Sequence, residues 1–564
     1  MRDRQEWGFA AAAAVLATGA ATVFLRLWDA DFSVPFSYHG DGALNLMLIK
    51  SSMENGWFYE NGQLGAPAGQ QLYDYPVLSG DGLHVVLFWL AGLVTSDVAV
   101  VMNVFFVLTF PVTAVVGYLV LRKLDVGPAV SLAIALLYTV LPYHFMRGET
   151  HLFLAAYYAV PIGAYLALAV LGGRARIGVA TGVLCAVVAL ASGSFYYSAF
   201  TVLLVVVAAA LRFLAARDRA AVAAAGFFVG VILGVSLLQL SPTIVYRIKH
   251  GTNEEVAQRF WFESENYGLR LTQLLLPVDD HRIDALASRK AEYKEQIPQN
   301  EGTAATLGIV GSIGFLWLLG VVLAACVGSV RGEGFALHRH LAALTVASVL
   351  MATTGGLATL FAVVWPQIRA WNRLSVFIAF FALAAVALLL EAAFRRFRLP
   401  GVAVAAVLGA LVVVGALDQT AATFIPPHSG LKAEWEADRD AVAVVQASLP
   451  EGAAVVQLPY EPFPEPPPGP RPIYEPAKPY IHYSDLQWSW GAMKGRPDDW
   501  AGENATKPAA ELVPAAREAG FEAIMVDRLA YPDGGAAAEA DLRRVLGANP
   551  ARRSPDSRYL LWFL

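Results

Sequence analysis

The sequence predicts a polytopic α-helical membrane protein that carries a small α/β domain at its C-terminal end. Three observations predict it. Of 564 residues, 57% are hydrophobic and 15% charged, with a mean hydropathy of +0.51, whereas soluble chains are about a quarter charged. Eleven apolar stretches approach the ~20 residues a spanning helix needs. Charge is also unevenly spread: residues 421–564 hold 20 acidic and 14 basic side chains, against 26 and 27 before them. No basic stripe exists to neutralise phosphates, which excludes a nucleic-acid partner. Cys185 and Cys326 both sit inside apolar runs, so they suggest neither a disulfide framework nor a thiolate metal site. Arg outnumbers Lys and Ala/Val abound, a composition typical of a high-GC bacterial genome.

The expected spans lie near 7–27, 98–121, 128–145, 152–171, 177–193, 196–214, 220–240, 303–327, 341–361, 374–393 and 401–418. The first follows Met1-Arg2-Asp3-Arg4 but ends in Leu25-Arg26-Leu27-Trp28, which offers no small-residue cleavage site, so it reads as a retained helix. Basic residues gather in alternate loops at Arg2/Arg4, Arg122/Lys123, Arg174/Arg176, Arg212/Arg217, Arg331/Arg339 and Arg395/Arg396/Arg398. That side is the cytoplasm by the positive-inside rule. The expectation is a multi-pass plasma (inner) membrane protein with a cytoplasmic N-terminus. Residues 1–420 form the membrane domain, with external loops 28–97 and 241–302, and 421–564 form an extracytoplasmic domain. Leu83–Val94 is too short to cross and reads as an interfacial helix, while Ser192-Gly193-Ser194 reads as a kink or a boundary. No internal repeat or pair of interrupted helices recurs in two halves, which weakens a transporter reading.

In the last domain, Asp438–Ser448 is helix-like and Ala453–Leu458 strand-like. A second unit follows in Ala509–Ala519 and Glu522–Asp527, with a last strand over Arg558–Leu564. Between them, Pro459–Tyr483 interleaves ten prolines with Tyr460, Phe463, Tyr474, Tyr480 and Tyr483. Proline blocks helix and sheet interior, so this is an ordered spacer or an aromatic platform for a sugar chain.

Chemistry concentrates in the first long loop, in Tyr38-His39-Gly40-Asp41-Gly42, Leu72-Tyr73-Asp74-Tyr75-Pro76 and Gly80-Asp81-Gly82-Leu83-His84. A carboxylate where the chain leaves a membrane is partly desolvated, which raises its pKa and suits it to accept a proton. The same residues equally make caps and turns. Glu149 and His151 at the end of the third span offer a second carboxylate with a metal or sugar ligand, or a structural pair. Asp279-Asp280-His281 is an oxygen-and-imidazole run that can hold a divalent cation, or a solvated loop with helix-capping acids.

One apolar helix, an external loop bearing Asp41, an interfacial helix, Tyr75-Pro76, and a helix ending in Leu121-Arg122-Lys123-Leu124 together resemble the N-terminal half of GT-C-type integral membrane glycosyltransferases. The likeness is one of layout over residues 1–215. It implies a polyprenyl-phosphate-linked sugar as donor, a glycan or lipid as acceptor, and membrane lipids as surroundings. It further implies Asp41 as the base of an inverting single displacement and Asp74 as a second acidic or acceptor-binding position, with Asp81, Glu149 and His151 beside it. Here Gly40-Asp41-Gly42 replaces the paired acids of many members, so the cofactor is left undetermined, a divalent cation being the candidate. A departing lipid phosphate needs fixed positive charge, and Arg suits it by its bidentate geometry. Candidates are Arg373, Arg270, Arg147, Arg247 and Lys249. Outer-face Arg also anchors helix ends at headgroups, a role that suits Arg247 and Arg369. Arg373 stands apart, because it enters an apolar helix where an unpaired cation is expensive. The competing functions are a lipid-linked sugar flippase or transporter, and a non-catalytic cell-envelope assembly protein.

Overall fold

The computed structural model describes residues 2–297, 300–329, 332–467, 469 and 471–564. Arg331, one of the basic residues used for orientation, lies outside the described residues. Among those described, eight helices are long and apolar enough to cross a membrane: Arg4–Phe24, Val98–Lys123, Pro128–Arg147, Tyr196–Ala216, Arg219–His250, Gly308–Cys326, Trp371–Phe397 and Gly401–Gln419. The other three expected spans are helices too short by that measure, Ala159–Leu171, Val179–Leu190 and Ala336–Ala352.

Each shortening has a local cause. Segment 152–171 breaks after the single turn Leu152–Ala155, where the Tyr157 hydroxyl donates to the Tyr138 carbonyl at 2.7 Å. That carbonyl and its neighbour are left over where the preceding helix is interrupted before Pro142, so side chains supply the missing donors. Segment 177–193 stops at Leu190 because Asp81 takes the next backbone groups: it accepts from the N–H of Ser192, Gly193 and Ser194 at 3.1, 3.0 and 2.7 Å. Asp81 is fully buried and His84 Nδ1 lies 3.2 Å away, so this candidate acid is committed to a structural turn. Segment 341–361 ends at Ala352, where Thr353 becomes extended, and a separate helix, Leu357–Val364, follows Gly356.

The loop 28–97 is more structured than expected. Asp41–Asn55 is a helix buried continuously from Gly42 to Ser52, which no amphipathic period announces. The segment Leu83–Val94, expected as an interfacial helix, is a helix over Gly82–Gly92: His84, Val85 and Phe88 face inward, while Val86, Leu87, Trp89 and Leu90 are exposed apolar side chains.

In the C-terminal part, five strands run in the order Gln487–Trp488, Ala454–Leu458, Phe521–Asp527, Tyr559–Phe563, Arg552–Arg553. The first three are mutually parallel and the last two pair antiparallel. Strand side chains alternate in direction, and here the two faces have different partners. Val456, Leu458, Ile524, Val526, Leu560 and Trp562 pack with Leu512, Val513 and Ala516 of the helix Ala509–Glu518. Val455, Ala523, Met525 and Leu561 belong instead to one apolar cluster with Tyr38, Leu46, Met47, Phe58 and Phe88 of the first loop. A core therefore runs across the expected boundary at 420/421. Its rim is polar: Lys50 donates to the carbonyls of Tyr480 and Ile481 at 2.7 and 3.0 Å, and Tyr38 and His482 share a 2.7 Å hydrogen bond.

Candidate functional site

Asp41 opens the buried helix Asp41–Asn55, where a carboxylate is favoured by the helix dipole. The flanking glycines hold it there for two different reasons. Gly40 has φ 56° and ψ −129°, a conformation essentially restricted to glycine. At Gly42 a Cβ would lie 2.6 Å from Ser37 Oγ and 2.9 Å from its carbonyl oxygen. The Asp41 side chain keeps 42% of its exposure. Partial desolvation, then the charge of Glu301, raise its pKa, with Arg373 and Arg369 opposing.

His151 Nε2 is 3.8 Å from Asp41 Oδ2. Burial, with Arg147 and Arg373 behind it, lowers the imidazole to about 3. His151 is therefore neutral at physiological pH, and the contact is not an ion pair. Behind both sit two guanidiniums that meet on a single oxygen: Arg147 and Arg373 donate to Glu301 Oε2 at 3.0 and 3.1 Å. Burial works to raise Glu301, but Arg373 and Arg147 hold it down at about 2. Arg373 lies over the Tyr196 ring at 4.2 Å and Arg147 over Tyr143 at 5.1 Å. Both guanidiniums are buried, and the Nε–H of each makes no hydrogen bond among the described residues. Unsatisfied charged donors are costly in a buried site, so this pair is equipped to take an additional anionic oxygen.

Glu149 is buried close by. It accepts from the Ser37 N–H at 2.9 Å, while Asn45 donates to its carbonyl at 2.8 Å. Burial raises its carboxyl to about 8, against the Ser37 hydrogen bond. Because this folded pKa exceeds the ordinary 4.5, the unfolded chain ionises first as pH rises, so Glu149 costs stability increasingly between pH ~4.5 and ~8. Glu149→Gln is expected to flatten the fall in melting temperature over that window, as a thermal-shift series in buffered detergent would read.

The remaining expected residues lie elsewhere. Asp74 is buried in a bidentate pair with Arg496, at 2.7 and 2.9 Å, with Arg247 at 3.7 Å also donating to the Asp74 carbonyl. Asp74 and Arg247 thus join the first loop to the C-terminal part instead of the Asp41 group. Removing one partner of a buried pair strands the other, so Asp74→Ala is expected to destabilise by about 3–5 kcal/mol, visible as a lowered unfolding midpoint. Lys249 is exposed on a shallow groove with Tyr73 and Tyr246. Arg270 sits at the start of the helix Leu271–Leu275, on a segment whose Leu269 is bonded to Ala352 and whose Tyr267 carbonyl accepts from Asn372, beside Arg373 in sequence. Arg369 pairs with Glu263 at 2.9 Å.

The Asp-Asp-His run disperses: Asp279 pairs with Lys294 at 2.7 Å, His281 approaches Asp418 at 3.3 Å, and Asp280 turns the chain at φ 52°. Among the described residues no three His, Cys, Asp or Glu assemble to hold a metal ion. At the Asp41 site the third acid, Glu301, is already taken by two arginines.

Sequence reasoning passed over Glu301 as a partner, although an acid was required to meet Arg373. It also missed the reach of the proline-rich segment. Tyr474 and Glu465 of that segment, with Tyr75, are electrostatically coupled to Asp41, and Glu465 is fixed by Arg259 at 2.8 Å. His39, next to Gly40, bonds Glu434 and Glu475 of the C-terminal part at 2.9 Å each. Those bonds raise its pKa to about 9. The histidine is thus charged at neutral pH, and its contribution is complete below about pH 6.5 and fades as pH rises through about 9.

No family model matches the chain, and no curated protein matches it. Among solved structures it is similar to the apo oligosaccharyltransferase of Archaeoglobus fulgidus, at 14% identity and a TM-score of 0.44, over 98% of this chain and 74% of that one. It is similar to the same enzyme tethered to an acceptor peptide containing the NVT sequon, at 13% identity and a TM-score of 0.46 over the same shares. A third, archaeal oligosaccharyltransferase AglB from the same organism in complex with an inhibitory peptide and a dolichol-phosphate, matches at 12% identity and a TM-score of 0.44, over 100% of this chain and 74% of that one.

Proposed function

We propose that this chain is a membrane glycosyltransferase that moves a sugar from a polyprenyl-phosphate carrier to a glycan or lipid acceptor on the outer side of the membrane. The observation that carries the reading is the pair Arg147 and Arg373, buried with uncommitted Nε–H donors, with Arg373 close enough to act by charge on both Asp41 and His151, and Arg147 on His151. A half-exposed acid with a pair of buried cations in its neighbourhood suits a reaction that takes a proton on one side and releases an anion on the other.

In that reaction Asp41 removes the acceptor hydroxyl proton as its oxygen bonds to the anomeric carbon. The bond from that carbon to the phosphate oxygen breaks, its electron pair leaving with the phosphate, and the configuration inverts. Arg373 and Arg147 hold the departing anion in place of, or alongside, Glu301. Glu301 balances the two cations while no phosphate is present, which keeps them from being unpaired in an apolar setting. Neutral His151 adds no positive charge that would suppress the basicity of Asp41. The donor set at Asp41 does not favour a metal ion, because Glu301 is held by Arg147 and Arg373. The test is transfer of labelled sugar from a synthetic polyprenyl-phosphate sugar by the purified chain in lipid nanodiscs. Product of inverted anomeric configuration supports the reading, and transport of the intact donor without transfer overturns it.

A further inference from the structure

A half-open cavity of about 200 Å³ lies in the C-terminal part, and Asp41 is not among the residues that line it. It opens at the carboxyl end of Ala454–Leu458, whose parallel neighbours Gln487–Trp488 and Phe521–Asp527 lie on opposite sides of it. In open α/β sheets this divergence of connections is where ligands bind. The proline-rich segment forms the opposite wall.

The volume equals about seven waters at ~30 Å³ each and falls below the ~300–1,000 Å³ of pockets that enclose drug-sized ligands. One six-membered ring fits that scale. Tyr460, Pro462 and Pro476 offer flat apolar surface, and Glu461, Glu475 and Asp527 are the carboxylates of the lining. The cation in the lining, Arg471, is already spent on Asp527 and Glu475. An anion therefore finds no uncommitted cation. Glu475 and Asp527 are themselves paired with Arg471, Arg558, Lys478 and His39, and Glu461 accepts the Tyr474 N–H on one oxygen, so the second oxygen of Glu461 is the acceptor open to a hydroxyl group. We propose that this cavity binds a single neutral pyranose sugar, through hydroxyl hydrogen bonds to Glu461 and stacking of the ring's C–H face on the tyrosine and prolines. Glu461 supports the choice of a neutral ligand. Burial and the nearby Glu475 raise its carboxyl to about 7, against the Tyr474 N–H and Arg471, so near neutrality it both donates and accepts and attracts a cation weakly.

The test uses the full chain in lipid nanodiscs free of sugar detergent, with saturation-transfer NMR on methyl glucopyranoside, mannopyranoside, galactopyranoside and N-acetylglucosaminide, and with glucuronate and glucosamine as charged controls. Saturable binding of at least one neutral sugar is expected. Ala530→Phe, which fills the cavity from its lining, and Glu461→Ala are each expected to weaken it at least tenfold, in variants whose melting temperature matches the parent. Asp41→Asn is expected to leave it unchanged, so this proposal stands or falls separately from the transferase reading. Absence of saturable neutral-sugar binding, preference for either charged control, or undiminished binding in both cavity variants would overturn it.

Discussion

Asp41→Asn is expected to lower sugar transfer by about 10²–10⁴-fold, the range that a positioned general base contributes, with donor affinity and melting temperature close to the parent. The substitution keeps the shape of the side chain and removes the proton acceptor. Gly40 and Gly42 still set the backbone, and the 42% exposure of the carboxylate means no buried pair is broken. Because desolvation and Glu301 raise the Asp41 pKa, the parent's rate should fall on the acid side at a pH above the ordinary carboxylate range, and that limb should vanish in the variant. Single-turnover transfer measured across pH decides the point. An unchanged rate would remove Asp41 from the chemistry.

Arg373→Ala is expected to cost about 10²–10³-fold in turnover, comparable to the loss of one preorganised donor at a developing anion. Arg373→Lys should recover little of it. A lysine brings the charge but neither the planar fork nor an Nε–H, and Arg373 uses one terminal nitrogen on Glu301 while its Nε–H is uncommitted. Arg147→Ala should behave alike, since both guanidiniums meet the same oxygen. If the two act as a unit, the double variant loses less than the product of the single losses. Donor affinity by competition with an unreactive polyprenyl phosphate separates anion holding from general destabilisation, which an unfolding midpoint monitors.

Much of the architecture was readable because hydropathy reports burial in lipid directly: each of the eleven apolar segments is largely helical, three of them interrupted, and the two helix-strand units of the last domain fall within a few residues of their observed limits, although the helix around Asp438 begins ten residues earlier, at His428. What failed was length. Helices stop where side chains from distant loops capture their ends, as Asp81 does at Ser192–Ser194, and such captures leave no periodic trace. The helix Asp41–Asn55 escaped notice for a related reason. Buried on every side, it carries no polar stripe, so its Asn, Lys and Ser residues look like loop composition until their partners are known. At the site, the requirement that an anion meet Arg373 was legible from cost alone. Its identity as Glu301 depended on a fold that brings a residue 72 positions away. The spread of Asp279 and His281 shows the converse, since residues two apart in sequence pair with different partners, Lys294 and Asp418.

The apolar cluster shared by the first loop and the last strands also dictates an order of events during synthesis. Lys50 and His39 find their partners more than 400 residues downstream, and at about 5–20 residues per second the ribosome takes roughly 20–90 s to deliver them. Through that interval the face of Asp41–Asn55 that will meet Tyr480 has no native cover. The nascent protein must either hold this helix against the lipid surface or have it chaperoned until those partners arrive.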